Sequence, residues 1–151
     1  MDIYPWLKLA HILLAVVAVG ANITYGIWLA RASREPQHED WALKGVKILD
    51  DRVANPSYIG LGAVGVLMVL TGPWEFETFW IAVSIGLYLA LAVVAFGFYS
   101  PTLSRQIRAY ETDGPVSAEF VALGRRGRLL GVLVALIVVA IIMLMVLKPG
   151  A

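Results

Sequence analysis

A few polar side chains line up inside an otherwise apolar stretch near the start of the chain. At about 100° per residue, Lys8, His11, Ala15, Ala18, Asn22 and Tyr25 fall on one narrow helical face. Ile12, Leu13, Val16, Val17, Ile23 and Ile27 occupy the remainder and suit lipid or core packing. Ionisable groups within a membrane span face the bundle interior or a cavity, because hydrocarbon solvates charge poorly. The stripe is therefore expected to line the bundle centre. A neutral imidazole there can ligate haem iron, hold a metal or relay a proton. It can equally be a packed histidine bonded to Ser84, Tyr88 or a backbone carbonyl. His38 lies in a polar loop beyond the other end of the helix. A haem would thus need Met, Lys, Tyr, water or a second copy's His11 as its other ligand. Lys8 either snorkels to headgroups or pairs with a carboxylate or propionate.

A second stripe, Ser84, Tyr88, Ala95 and Tyr99, offers hydroxyls that can reach Asn22 and Tyr25. Such bonds are worth about 0.6 kcal/mol on average and set register more than strength. Gly60, Gly62, Gly65 and Gly72 permit close approach of backbones or of a porphyrin edge. Met68, Met143 and Met145 read as core filler. Asp50, Asp51 and Arg52 read first as a solvated helix end, with a gate or docking point facing Arg105 or Arg128 as the alternative. The candidate pocket is His11, Lys8, Asn22, Tyr25 and Tyr88, with His11 as the iron or metal ligand and haem b as the implied cofactor.

The elements that must position these groups are four apolar stretches, about Trp6 to Ala30, Pro56 to Gly72, Phe79 to Tyr99 and Leu129 to Leu147. About 20 apolar residues cross a bilayer as a helix, so the expected fold is an all-α integral membrane bundle of four transmembrane helices. Residues 31–55 and 100–128 form the two long loops of this single membrane domain. Each loop pairs a polar stretch with a short amphipathic segment, which suggests a duplicated helical hairpin. Those segments lie in the interface or extend the second and fourth spans.

Ten of the twelve basic residues lie in the two loops, five in each, leaving Lys8 and Lys148 near the termini. The positive-inside rule then places both loops in the cytoplasm and both termini outside. Trp6, Trp74, Phe76, Phe79 and Trp80 gather at the outer ends as an aromatic belt. The first stretch lacks the basic leader and small-residue cleavage site of a signal peptide, so it reads as a span.

Charged residues make up 15% of the chain, against about 25% in soluble domains. A net charge of +1 points away from nucleic acid, which selects a basic surface. Without cysteine, disulfides and thiolate chemistry drop out. The sequence carries no P-loop, GxSxG or HExxH motif and no carboxylate pair inside a span, which disfavours hydrolysis, ATP chemistry and acid-driven transport.

The opening Trp6-Leu7-Lys8-Leu9-Ala10-His11-Ile12, the run Asp51-Arg52-Val53-Ala54-Asn55-Pro56-Ser57, and the ending Leu144-Met145-Val146-Leu147-Lys148-Pro149 resemble the bacterial predicted integral membrane proteins of domain of unknown function 2269. That likeness implies a topology and a bacterial cytoplasmic membrane. The K-x-x-H opening also resembles, more distantly, the haem-b membrane protoporphyrinogen oxidase and the copper-resistance D-type proteins. This second likeness implies a role for His11, with Lys8 as companion; the third span lacks the basic and histidine residues of that oxidase. The expectation is a haem b or porphyrin-binding redox protein. The alternatives are a non-catalytic accessory or scaffolding subunit and a small transport or metal-handling protein. The lipid bilayer is the expected partner, and a homo-oligomer or larger membrane complex remains open.

Overall fold

The computed structural model describes residues 2–150. Every regular element among them is helical, and four continuous helices, Tyr4–Ala32, Pro36–Thr71, Phe79–Asp113 and Ala118–Leu147, are long and apolar enough to cross a membrane. The first is α1, Tyr4–Ala32. The second opens with a 3₁₀ turn, Pro36–His38, and runs through α2 (Glu39–Leu49), a π-helical segment (Asp50–Ala54) and α3 (Asn55–Thr71). The third joins α4 (Phe79–Ala92) to α5 (Ser100–Asp113) through a π-helical segment, Val93–Tyr99. The fourth is α6, Ala118–Leu147.

The stops follow from local chemistry. Gly72-Pro73 ends α3, since proline cannot continue a helix. Gly114 adopts φ 80° after α5, a left-handed turn that glycine makes at little cost. The Ser117 side chain accepts the Phe120 N–H at 3.3 Å and caps α6.

The second and third helices span 36 and 35 residues, about 50 Å at 1.5 Å per residue against a core of about 30 Å. Their surplus lies at the loop end. There α2, α5 and the first turns of α6 pack together over buried Leu43, Val46, Leu103, Ala109, Phe120 and Leu123. Lys44 braces this layer with ion pairs to Asp40 and Glu111, both 2.8 Å. The amphipathic segments are therefore extensions of the spans. The stretch 100–128, read above as a loop, is helical over most of its length because α5 carries a buried apolar stripe of its own.

Both π segments precede a proline, Pro56 and Pro101. A proline inside a helix donates no N–H, and its ring presses on the carbonyl four residues back, here that of Arg52 or Gly97. Widening the helix across those carbonyls relieves the clash without breaking the rod.

Within the membrane layer α1 packs on α3, and α4 packs on α6. Each glycine of the α3 face receives a side chain: Leu14 at Gly60, Tyr88 at Gly62, His11 at Gly65 and Tyr4 at Gly72. Met143 and Met145 are exposed, so they face lipid and are not the core filler their type suggested. Ile12, Leu13, Val16, Val17, Ile23 and Ile27 are exposed too, as expected of the lipid side.

Candidate functional site

The polar stripe of α1 points inward as its periodicity required. Ala18 and Tyr25 are buried, His11, Ala15 and Asn22 are half-buried, and Lys8 is exposed at the terminal end. The candidate pocket does not assemble around one centre. His11 and Asn22 lie eleven residues apart on one straight helix, about 16 Å, and each has its own surroundings.

At His11 the ring packs on α3, its Cε1 lying 3.3 Å from where a Cβ on Gly65 would stand. It is directed at the Leu61 backbone, which the missing side chain of Gly65 leaves accessible. Its Nδ1 is buried and makes no hydrogen bond of full geometry. Tyr88 crosses from α4 onto Gly62 and donates its hydroxyl to the Tyr58 carbonyl at 2.8 Å. The structure therefore bonds His11 to neither Tyr88 nor Ser84, and Ser84 Oγ is itself buried and unpartnered.

At the loop end the polar groups are denser. Asn22 donates one N–H to the Ala18 carbonyl at 3.2 Å and another to the Tyr58 hydroxyl. Tyr25 stacks on Tyr99 with centroids 6.3 Å apart, and its hydroxyl is buried without a partner. Beneath them lies Asp50, only 4% exposed. The Ser100 hydroxyl donates to its carboxylate, and the Asn55 amide makes long contacts with that carboxylate at 3.5 Å and with Ser100 at 3.4 Å. Tyr25, Tyr58 and Tyr99 all lie within its electrostatic reach.

Asp50 is thus no solvated helix end. Asp51 and Arg52 are exposed as that reading required, but Asp50 continues the buried stripe of Leu43 and Val46 at helical spacing and faces inward. Among the described residues Asp50 forms no ion pair, and the nearby Lys47 pairs with Asp51. A buried carboxylate normally has a cationic partner, because desolvating a lone charge is costly. π segments concentrate at functional sites; Asp50 opens one of them, and its partner Ser100 directly follows the other. Asn55 and Ser100 are the residues directly before the two prolines. Sequence reasoning missed Asn55, Tyr58 and Ser100. The available signal was the pair of polar-Pro dipeptides, each inside a long helical run.

The structure sets limits on cofactor chemistry. A porphyrin at His11 finds Lys8 exposed at the terminal end and Asn22 and Tyr25 about three to four turns below. The proposed set does not fit one haem pocket. Among the described residues no three His, Cys, Asp or Glu side chains gather to ligate a metal. The donors around Asp50 are one carboxylate, hydroxyls and an amide.

A family of predicted integral membrane proteins matches residues 5–149, nearly the whole chain. The chain belongs to that family, domain of unknown function 2269. Family membership and four spanning helices together make this an integral membrane protein whose solvent is the lipid bilayer. Comparison with curated proteins and with solved structures gives no match.

Proposed function

We propose that this family member is a small ion-handling membrane protein whose working group is Asp50. The observation that carries the reading is a buried carboxylate with no ion-pair partner, at the start of one π segment and bonded to the residue that follows the other. An ionisable side chain buried within a spanning helix marks an ion or proton pathway by default. A hydroxyl and an amide N–H around one carboxylate suit a proton or a monovalent cation, since divalent metals favour several carboxylates or nitrogen ligands. The acid whose absence from the spans disfavoured transport is supplied by Asp50 at the mouth of the second span.

The basic loop end is cytoplasmic in this reading and both termini lie outside, by the positive-inside rule, in a bacterial cytoplasmic membrane. Scaffolding through the α3 glycines loses its support, because side chains of the same chain fill them. Haem b at His11 keeps one favourable observation, the buried unpartnered Nδ1. Its signature is a Soret band in purified protein that His11→Ala abolishes.

The test of the ion reading is flux of H⁺, Na⁺ and K⁺ into liposomes holding wild type or Asp50→Asn. Flux of one of these ions that the variant loses while staying folded supports the reading. Equal flux in both proteins, or none in either, overturns it.

A further inference from the structure

The α3 helix presents one face in steps of three and four residues: Asn55, Tyr58, Gly62, Gly65. Each position meets a polar group. Asn55 meets Asp50 and Ser100, the Tyr58 hydroxyl meets Asn22, Gly62 admits the Tyr88 hydroxyl, and Gly65 admits the His11 ring. From Asp50 to Gly65 is fifteen residues, about 22 Å of rise across a hydrocarbon core of about 30 Å. Elsewhere on the α1–α3 seam the packing is apolar, with Leu14 on Gly60 and a fully buried Ala18.

We infer that the ion handled at Asp50 is the proton, and that it crosses along this face of α3 between His11 and Asp50, with the Tyr88 hydroxyl as the link over Gly62. The inference rests on the reading of Asp50 given above and names its substrate and route. Two physical arguments select the proton. A metal cation needs several oxygen ligands at each stopping point, whereas the His11 end offers an imidazole and no carboxylate. The Tyr88 ring also fills the notch at Gly62, which leaves no room for a hydrated ion but leaves a hydroxyl in place. His11 can accept a proton on one ring nitrogen and release one from the other. The Asp50 carboxylate takes up one proton as a base, and the resulting carboxylic acid returns it to water at the loop end. Each turnover moves one proton and consumes nothing.

Tyr88 bonds a backbone carbonyl, which cannot pass a proton on. The resting arrangement is therefore closed, and conduction requires the Tyr88 hydroxyl to swing away from the Tyr58 carbonyl.

The test uses full-length protein in liposomes loaded with a pH-sensitive dye and driven by a potassium–valinomycin potential. His11→Gln and Tyr88→Phe are each expected to lower proton flux about a hundredfold, the worth of a positioned proton-transfer group. Lys44→Gln, in the loop-end layer, leaves flux unchanged. Wild-type flux is slower in D₂O, a readout that depends on no variant and covers the case of a variant that fails to fold. Wild-type flux equal in H₂O and D₂O, or folded His11→Gln at wild-type rate, overturns the route. Asp50-dependent flux of Na⁺ or K⁺ without H⁺ overturns the proton while leaving the Asp50 site standing. Proton flux that Asp50→Asn does not alter removes the Asp50 reading itself.

Discussion

The α1–α3 seam and the α4–α6 seam are both contacts between neighbouring antiparallel spans, yet they are made of different materials. The first is a row of glycines, each filled by a side chain from a neighbouring helix, with polar groups at His11, Asn22 and Tyr58. The second sets α4 against the last span, Leu129 to Leu147, which has no polar side chain at all. Glycines on that side have little to admit: Gly86 and Gly97 have nothing within 4 Å of an added Cβ, and Gly131 only an ordinary contact with Tyr99 at 3.9 Å. Lipid tails are as apolar as leucine, so helices associate in a bilayer through close packing and polar contacts. The α4–α6 seam uses packing alone and serves as a buttress. The α1–α3 seam uses both, and its notches hold the groups that can do chemistry.

The hardest way to break this contrast is at Gly62. A Cβ there falls well inside contact with the Tyr88 ring and hydroxyl, so Gly62→Ala forces Tyr88 off the Tyr58 carbonyl. Overpacking of this kind costs about 1–3 kcal/mol, and the melting temperature in detergent is expected to fall accordingly. Asp50→Leu comes next, because it strands the Ser100 hydroxyl and the Asn55 amide. Leaving buried donors unpaired costs about 1–3 kcal/mol. Asp50→Asn keeps an acceptor for Ser100, so its melting point should lie between those of wild type and Asp50→Leu. A Leu variant as stable as wild type would show that the carboxylate is not held by these partners.

Much of this contrast was legible in the chain. Four apolar runs and their lengths follow from composition, and the inward stripe of α1 follows from 3.6-residue periodicity, which needs no tertiary information. The glycines of α3 were legible as places of close approach, though not what would approach them. Asp50 was misread because its neighbours Asp51 and Arg52 are solvated and a regular helix would carry all three to one end. Yet Asp50 continues the stripe of Leu43 and Val46 at helical spacing, and that stripe is buried. Its partner Ser100 lies fifty residues away in sequence, and no local pattern encodes that meeting. The haem pocket failed as a single site for a related reason. A shared helical face fixes direction but says nothing about depth, and His11 and Asn22 differ in depth by half a bilayer.

Two tyrosines sharpen the comparison within the polar seam. Tyr58→Phe removes the acceptor of Asn22 and is expected to cost about 1 kcal/mol, the net worth of a typical hydrogen bond. Tyr25→Phe removes a hydroxyl that has no partner among the described residues and keeps the ring stacked on Tyr99. Its melting point should match wild type, while any ion flux that uses the hydroxyl falls. A clear drop in stability would mean that the hydroxyl is structurally engaged and would remove it from the site.

The gentlest test lies on the buttress side. Gly86 sits in the interior of α4, exposed, with nothing within 4 Å of an added Cβ. Its flexibility serves no contact there, and glycine in a helix interior is about 0.5–1 kcal/mol worse than alanine. Gly86→Ala should therefore raise the melting point slightly and leave flux unchanged, opposite in sign to Gly62→Ala although the chemical change is the same. If both substitutions destabilise alike, the α3 glycines are not special notches, and the division between a working seam and a buttress collapses. If the signs differ as expected, the placement of glycine, more than its abundance, distinguishes the part of this bundle that holds chemistry from the part that holds it still.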